Sequence, residues 1–452
     1  MRIVIIFGLV AALLCQPVLS QDTSKPSLGL GGISESVGSV SSREIPNVIF
    51  GQDQLSQFAS SRLPAIAAAR AGLAQRVRAR LGSMQDDVDV YKGCKLDVYT
   101  KVLTYEHGSA SRDAADFAIY SALSSDDVAK SARQAAVDIL VKWSSVAEYL
   151  VSASDNDLSG FCDEMGQASQ DARFAVGLTF GRGIPNLVIA YEVLRAQNAI
   201  TSDQSRRIGN LFNALYILEW AAMNYRAKNS NLECNKYNNH VSIQIAALSS
   251  LAALRGDHGL LRDIAVGSSG RMAISLSTQI SKSIYQHAEN LLNCFSNSAN
   301  SKMYYQNSDV EDGEIVDRYR AKPNQTFGYP MFSLEHMLLS ALILQRKGIN
   351  LTAVEKGRLE AALHYYGDLL AQSETGRGLT EKFRQYRGKN VFGGQHTVDG
   401  SDFMLNPFII GAALFPEDKQ TKALIHDFFL RDGGFSHSPS IYLPLLMEIQ
   451  GK

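Results

Sequence analysis

Two short segments of the chain combine side chains that could remove a proton beside a carboxylate. The first is Tyr-Asn-Asn-His at residues 237–240, and the second runs from Arg318 through Arg320 to Tyr329. Amide and guanidinium groups can neutralise a carboxylate by directed hydrogen bonds, which makes the adjacent carbon more acidic. A histidine or a tyrosine can then take the proton, and an acid can protonate a leaving oxygen one carbon further on. These residue types therefore predict elimination chemistry on an acidic sugar.

The amino-terminal twenty residues have the pattern of a secretory signal. Arg2 supplies a positive start, residues 3–14 form an apolar run, and Val-Leu-Ser at 18–20 fits a cleavage site. The run is too short to span a membrane, and no stop-transfer pattern follows it. We expect residues 1–20 to be removed and the protein to be secreted.

The composition of the chain limits the classes of partner that it could bind. The 452 residues carry a formal net charge of −1, with 45% hydrophobic and 20% charged residues, as in an ordinary globular protein. A near-neutral chain argues against general nucleic-acid binding, so a polyanionic partner would require local positive charge. We expect a Ser- and Gly-rich flexible lead-in over residues 21–44, one domain over residues 45–452, no membrane association and a monomer.

Four cysteines follow the signal, at positions that contain no Cys-x-x-Cys pair. An even number in a secreted chain predicts one or two disulfides, and the pairing stays open. The spacing gives no zinc motif, and the sequence contains no Gly-rich phosphate loop, so we expect no metal and no cofactor. The four cysteines are Cys94, Cys162, Cys234 and Cys294.

Helical periodicity extends from about residue 55 nearly to the end of the chain. Segments 57–81, 241–254, 272–292, 331–344 and 359–370 are dense in apolar residues at helical spacing, while strand-like alternation is scarce. Thr-x-x-Gln at 201–204 and Thr-x-x-Glu at 352–355 predict helix caps. Many amphipathic helices need a common core, and stacked hairpins in a solenoid or a closed toroid both supply one. Polar loops are expected near 226–238, 295–313 and 374–402.

Spaced motifs in this helical chain resemble the alginate lyase superfamily of polysaccharide lyases, with families five and thirty-eight as the most similar. The resemblance is carried by Asn-Asn-His opening a helix, by an acidic-x-x-x-Arg segment, by Tyr-x-x-aromatic-x-Leu and by a late helix start. These motifs fall at residues 238–240, 314–318, 329–334 and 402–408. The resemblance implies an all-α, incomplete (α/α) toroid whose groove takes an acidic, (1→4)-linked uronate polysaccharide of the alginate or glucuronan type.

The resemblance also implies roles for individual residues. Asn239 and Arg318 would neutralise the substrate carboxylate. His240 would act as the base, or it would hold the carboxylate while Tyr329 acts as the base. Tyr329 would protonate the leaving oxygen, and it could act as both base and acid where the proton and the leaving group lie on one face of the sugar. The distance of eleven residues from Arg318 to Tyr329 is longer than the family pattern, so Arg320 competes for the arginine role.

Further positive and polar residues are candidates for binding the polymer. A basic segment with interleaved aromatics at 382–389, followed by Gly-Gly-Gln-His at 393–396, predicts a flap that holds anionic sugars; a solvated basic surface explains it equally well. The substrate-binding candidates are Asn238, Arg320, Lys322, Arg384, Arg387, Gln395 and His396.

Two other classes of protein stay open at this stage. A glycoside hydrolase would need a pair of carboxylates, for which Glu314 and Asp317 are candidates. A binding protein that has lost catalysis would keep the groove. In an arbitrary chain, Asn238 or Asn239 would be read simply as the N-cap of a helix.

Overall fold

The computed structural model describes several stretches of the chain, and nearly all of them are helical. The described residues are 47–81, 110–147, 170–230, 236–286, 311–315, 328–371, 405–431 and 439–450. Their helices are α1 (Gln52–Ser60), α2 (Pro64–Leu81), α3 (Ala110–Leu123), α4 (Asp127–Trp143), α5 (Gln170–Gly181), α6 (Ile184–Ala196), α7 (Ser202–Asn229), α8 (Asn239–Arg255), α9 (His258–Val266), α10 (Leu276–Ser283), α11 (Gly328–Arg346), α12 (Thr352–Ala371), α13 (Asn406–Leu414), α14 (Lys419–Arg431) and α15 (Leu446–Gln450). Within these stretches no strand occurs, and the all-α prediction is confirmed.

The helices fall into two kinds by burial. Helices α3, α6, α8, α11 and α13 are buried on nearly every side; in α8, every residue from 241 to 254 is buried. Helices α4 and α9 bury one face and expose the other, and α10 buries one face and leaves the other half-buried. A helix that is covered all round has no polar face, so its sequence lacks the 3.6-residue stripe of a surface helix. The first kind forms an inner layer and the second an outer layer.

The inner helices pack in chain order. Helix α3 packs on α6, α6 on α8, α8 on α11 and α11 on α13. The carboxy-terminal 3-10 segment, Ser440–Leu445, contacts both α13 and α3, so the row of inner helices returns towards its beginning. This order of neighbours does not conflict with the incomplete toroid, which stays a prediction.

Local signals explain where several helices begin and end. The cap predicted at the start of α7 is present as a capping box. The Thr201 hydroxyl accepts from the Gln204 backbone N–H, and the Gln204 side-chain oxygen accepts from the Thr201 backbone N–H. Helix α8 ends at Gly256, which has a φ of 66° and closes the helix in the left-handed conformation. At α12 the Glu355 carboxylate accepts from the Ser277 hydroxyl of α10 at 2.6 Å, which ties the two helices together; the cap expected there stays a prediction.

Three predicted element boundaries are wrong. Within the described part of the segment 272–292, the helix is Leu276–Ser283, and Ile284 after it pairs with Ile315 in an antiparallel bridge. The loop expected near 226–238 starts later, since α7 continues to Asn229. The helix expected over 57–81 is two helices, separated at residues 61–63 before Pro64.

Several expectations fall on residues outside the described stretches. These are the signal and the lead-in, the four cysteines, and most of the loops at 295–313 and 374–402. The single domain over 45–452 stays a prediction. Among the described helices, none is long and apolar enough to cross a membrane.

Candidate functional site

The Asn-Asn-His motif lies at the start of α8. The Asn238 side chain caps the helix by accepting from the His240 N–H at 3.0 Å. Asn238 and Asn239 are each only 1% exposed, whereas the His240 ring is half-buried. The N-cap interpretation therefore applies to Asn238, while Asn239 and His240 occupy the positive end of the helix, where backbone N–H groups favour an anion.

Neighbouring helices hold this helix start in place. The Gln279 amide of α10 donates to the Asn238 carbonyl at 3.3 Å and to the Ser242 hydroxyl at 3.1 Å. Ser242 is also 2.9 Å from the Ser333 hydroxyl of α11, in a fully buried contact. Buried polar contacts of this kind fix the relative positions of helices because breaking them leaves groups unsatisfied.

His240 is oriented by Arg226, a residue that sequence analysis missed. A guanidinium N–H of Arg226 lies 2.7 Å from His240 Nδ1, and Arg226 itself is 3% exposed. Arg226 lies in the last turn of α7, in a stretch that the sequence analysis read as loop. The sequence carries no specific signal for this contact, since it joins two helices that meet only through tertiary packing.

Tyr329 lies in the first turn of α11 and is half-buried. One turn further on, Ser333 contacts Ser242, which follows His240 by two residues. The structure thus brings Tyr329 and His240 to the amino-terminal ends of two adjacent helices, as the predicted site requires.

The remaining candidates lie outside the described residues: Arg318, Arg320, Lys322, Arg384, Arg387, Gln395 and His396. The backbone just before Arg318 is described, however. Ile315 donates its N–H to the Tyr366 hydroxyl at 3.1 Å, and Gly313 donates to the Tyr285 carbonyl at 2.8 Å. These two hydrogen bonds fix the backbone position at residues 313–315, which end three residues before Arg318. The role of either arginine stays a prediction.

A buried carboxyl group joins several other inner helices at their starts. Glu335 of α11 accepts from the Tyr442 hydroxyl at 2.8 Å and from the Asn406 amide, at the start of α13, at 3.4 Å. Arg112 at the start of α3 and Arg182 just before α6 act on it electrostatically. Burial nevertheless raises the pKa of Glu335 to about 7. The amino-terminal ends of α3, α6 and α13 therefore lie near Glu335, about two turns into α11.

Positive charge exceeds negative charge in this region. Asp116 is paired with Arg76 and Asp113 with Arg80, each at 2.9 Å. Arg112 interacts electrostatically with both of these carboxylates and with Glu335. With Arg182 the group holds more arginines than carboxylates, and Glu335 is only partly ionised at neutral pH. Arginines therefore outnumber carboxylates by one in this group, although the whole chain is near neutral.

The carboxylate candidates for a hydrolase gain no support. Glu314 is fully buried, and its carboxylate accepts from the Tyr365 hydroxyl at 3.3 Å and from the Glu311 N–H at 3.2 Å. A catalytic carboxyl group must reach the glycosidic bond, and Glu314 is covered by protein. Asp317 lies outside the described residues. Among the residues that are described, no group of His, Cys, Asp or Glu could hold a metal ion.

The fold and this site together define a class: an all-α protein whose inner helices direct amide, imidazole, phenol and guanidinium groups towards one end. Residues 164–375, a little under half of the chain, match the family described as Alginate lyase. The resemblance to the alginate lyase superfamily is thus confirmed, and the match indicates an enzyme, a polysaccharide lyase. No curated protein and no solved structure matches the chain. The likeness to families five and thirty-eight in particular stays a prediction.

Proposed function

We propose that this protein is a secreted lyase that cleaves a (1→4)-linked uronate polymer by β-elimination and leaves an unsaturated uronate at the new non-reducing end. The observation that carries the proposal is the hydrogen bond from Arg226 to His240 Nδ1 at the start of α8. It fixes what the imidazole can do to a bound carboxylate.

Arginine has only donors, so His240 Nδ1 must accept the hydrogen bond with its lone pair. In the neutral ring the hydrogen then resides on Nε2. Adding a second proton would place an N–H at Nδ1 against an N–H of Arg226, so the contact disfavours the imidazolium. His240 is therefore a hydrogen-bond donor through Nε2, which suits it to holding a carboxylate rather than to taking a proton.

Tyr329 then becomes the residue that moves the proton. Entering the step as the phenolate, Tyr329 takes the C5 proton, and the C–H electron pair forms the C4–C5 double bond as the C4–O bond breaks. The same phenol returns that proton to the leaving oxygen and is again a phenolate. His240 and Asn239, with Arg318 or Arg320, stabilise the negative charge that spreads from C5 onto the attached carboxylate as the proton leaves. Because protein groups neutralise this charge, the reaction needs no cofactor.

One residue can serve as both base and acid only if the C5 proton and the C4 oxygen lie on the same face of the sugar. They do in D-mannuronate and D-glucuronate, and they lie on opposite faces in L-guluronate. The proposed substrate is therefore a polymannuronate or glucuronan type of chain. Secretion is part of the proposal because residues 1–20 have a signal pattern, and such polymers are extracellular.

The test is ultraviolet absorbance over time, with polymannuronate, glucuronan, polyguluronate and hyaluronan in parallel. We expect the absorbance of an unsaturated uronate to rise with polymannuronate or glucuronan, and at least about a hundredfold loss of kcat in Tyr329→Phe. His240→Ala should lose turnover to a similar degree, with its thermal unfolding unchanged.

Other outcomes would contradict the proposal. New reducing ends without absorbance would indicate a hydrolase, and binding of oligomers without cleavage would indicate an inactive binding protein. Full activity in both variants would show that His240 and Tyr329 do not have these roles.

A further inference from the structure

A cavity of about 610 Å³ lies at the carboxyl-terminal ends of two inner helices, α3 and α6. Ser121 of α3 and Gln197 at the end of α6 line it, together with residues of α1 and α4. Arg112 and Arg182, which act on Glu335, lie at the opposite ends of the same two helices, and Ser121 is about 13 Å along α3 from Arg112. The cavity is therefore separate from the charged group around Glu335, and its volume is typical of small-molecule sites, about 300–1,000 Å³.

Among the described residues that line this cavity, Arg133 of α4 carries the charge, and none is an Asp or a Glu. Its Nη2 makes a long contact of 3.5 Å with the Ser121 carbonyl oxygen, and it pairs with no carboxylate in the described part of the chain. Its Nε is buried and has no hydrogen-bond partner there. A half-buried guanidinium group that the protein satisfies only in part favours an anionic ligand.

Amide and hydroxyl groups around Arg133 are held in place before any ligand binds. The Gln197 side-chain nitrogen is 3.1 Å from the Ser121 hydroxyl and 3.4 Å from the Ala118 carbonyl oxygen, so the ends of α6 and α3 are joined. Asn198 follows in the left-handed conformation, with a φ of 53°. Such side chains both donate and accept hydrogen bonds, which suits them to the hydroxyl groups of a sugar.

Two other features of the lining narrow the ligand further. Leu55 and Val193 add buried apolar surface, which can cover the C–H face of a sugar ring. The last carbonyl groups of α3 and α6 give this end partial negative charge and accept hydrogen bonds. They favour hydroxyl donors and disfavour a compact, doubly charged anion such as phosphate. One carboxylate on a molecule rich in hydroxyl groups fits both requirements.

We propose that this cavity binds a uronic acid, with its carboxylate at Arg133 and its hydroxyl groups on the amides and the helix-end carbonyls. The described lining holds no His, Tyr, Asp or Glu that could move a proton, so the site binds without reacting. The chemistry of the ligand follows from the cavity. That the ligand is a unit of the protein's own polymer rests on the proposed function.

The experiment is isothermal titration calorimetry of the full chain with D-glucuronate, D-glucose and inorganic phosphate. We expect D-glucuronate to bind about tenfold more tightly than D-glucose, and phosphate to give no saturable heat. In Arg133→Gln the affinity for D-glucuronate should fall about tenfold, because a charge-assisted hydrogen bond is lost. The kcat and KM for polyuronate should stay unchanged in this variant, since Arg133 lies outside the proposed catalytic site.

Two further variants separate ligand binding from folding. Asn198→Gly removes one amide, and glycine adopts a φ of 53° without strain. It should fold like the wild type and bind D-glucuronate about threefold more weakly. Arg262→Gln removes an arginine charge from an exposed position on α9, outside the cavity lining, and should bind like the wild type. Thermal unfolding of every variant is measured alongside.

The outcomes separate this inference from the proposed function. Absence of D-glucuronate binding in the wild type, or unchanged affinity in Arg133→Gln, would overturn the site. Equal affinity for D-glucose would overturn the role of the carboxylate, and equal affinity for phosphate that of the sugar. Weaker binding in Arg133→Gln that follows only its loss of thermal stability, with unchanged binding in Asn198→Gly, would also overturn the site. A wild-type protein that binds D-glucuronate as expected but cleaves no polyuronate would overturn the proposed function alone.

Discussion

At the scale of single residues, one hydrogen bond decides between two chemical roles for His240. Both ring nitrogens of a histidine can donate or accept, and the partner of one nitrogen sets the state of the other. Because Arg226 can only donate to Nδ1, the hydrogen of the neutral ring is placed on Nε2. In the proposed mechanism the arginine therefore acts on the substrate through His240, as a positioning residue.

The tautomer of His240 can be measured without any substrate. The nitrogen-15 chemical shifts of the ring should report an Nε2–H tautomer in the wild-type protein and a mixture in Arg226→Leu. The variant should also lose about tenfold or more in kcat/KM, since the donor towards the carboxylate is no longer fixed. Arg226→Gln retains an amide NH2 donor, and its kcat/KM should lie between those of the wild type and Arg226→Leu. A wild-type ring protonated on Nδ1 would contradict the assignment of His240 as a donor.

At the scale of elements, the short segment 311–315 packs against α12 and lies just before Arg318 in the chain. Residues 311–315 are held by the bridge from Ile315 to Ile284 and by the Tyr366 hydroxyl. Gly313 has a φ of 87°, and a Cβ atom there would lie 2.2 Å from the Ala361 carbonyl oxygen of α12. Only glycine allows this backbone to approach the helix so closely.

Gly313→Ala should therefore destabilise the protein and lower its activity together. We expect a loss of about 3 kcal/mol in unfolding free energy, from the left-handed backbone conformation and from the clash with α12. Gly348→Ala is the matched control, because Gly348 has a φ of 78° but no atom within 4 Å of its added Cβ. It should cost about 1 kcal/mol and leave kcat unchanged. Equal losses in the two variants, measured by denaturant unfolding, would show that the close approach is unimportant.

At the scale of the whole molecule, the buried core contains ionisable groups whose burial has an energetic cost. Burial raises the pKa of Glu192 to about 8, with partial compensation from Lys347 and Arg195. The pKa of Glu219, whose carboxylate has no hydrogen-bond partner within the described part of the chain, is raised well above its usual value. Both groups prefer the protonated form in the folded state.

These raised pKa values predict that stability falls as the pH rises. A carboxyl group with a raised folded pKa contributes stability that is fully present below its unfolded pKa and is lost as pH rises through the folded pKa. His336, with its lowered pKa, acts in the opposite direction but only below about pH 6.5. Between pH 6.5 and 8, Glu192 alone should therefore cost about 2 kcal/mol of unfolding free energy.

The comparison is denaturant unfolding at pH 6.5 and 8. Glu192→Gln should show a smaller decrease over this interval than the wild type, because glutamine does not titrate. Exposed Glu417→Gln serves as a control and should not alter the decrease. A wild-type protein that is equally stable at both pH values would contradict the prediction.

Much of this protein could be predicted from its sequence because the relevant signals are local. Apolar spacing and the scarcity of strand patterns predicted the all-α fold, and Thr201 with Gln204 predicted the cap of α7. The Asn-Asn-His motif and the late motif at 402–408 predicted two starts of inner helices, and the family match supports the class of enzyme that the motifs imply. Each of these features depends on residues within a few turns of one another.

Only the tertiary structure decided which of these residues meet and in what chemical state. The sequence could not choose between Asn238 and Asn239 as the cap, or give the order in which the inner helices pack, because helices buried on every side carry no directional stripe. Arg226 and Arg182 gave no sequence signal because each acts on another helix. Contacts between distant segments depend on packing geometry, and it is this geometry that brings Arg226 to His240 and Arg182 to Phe332.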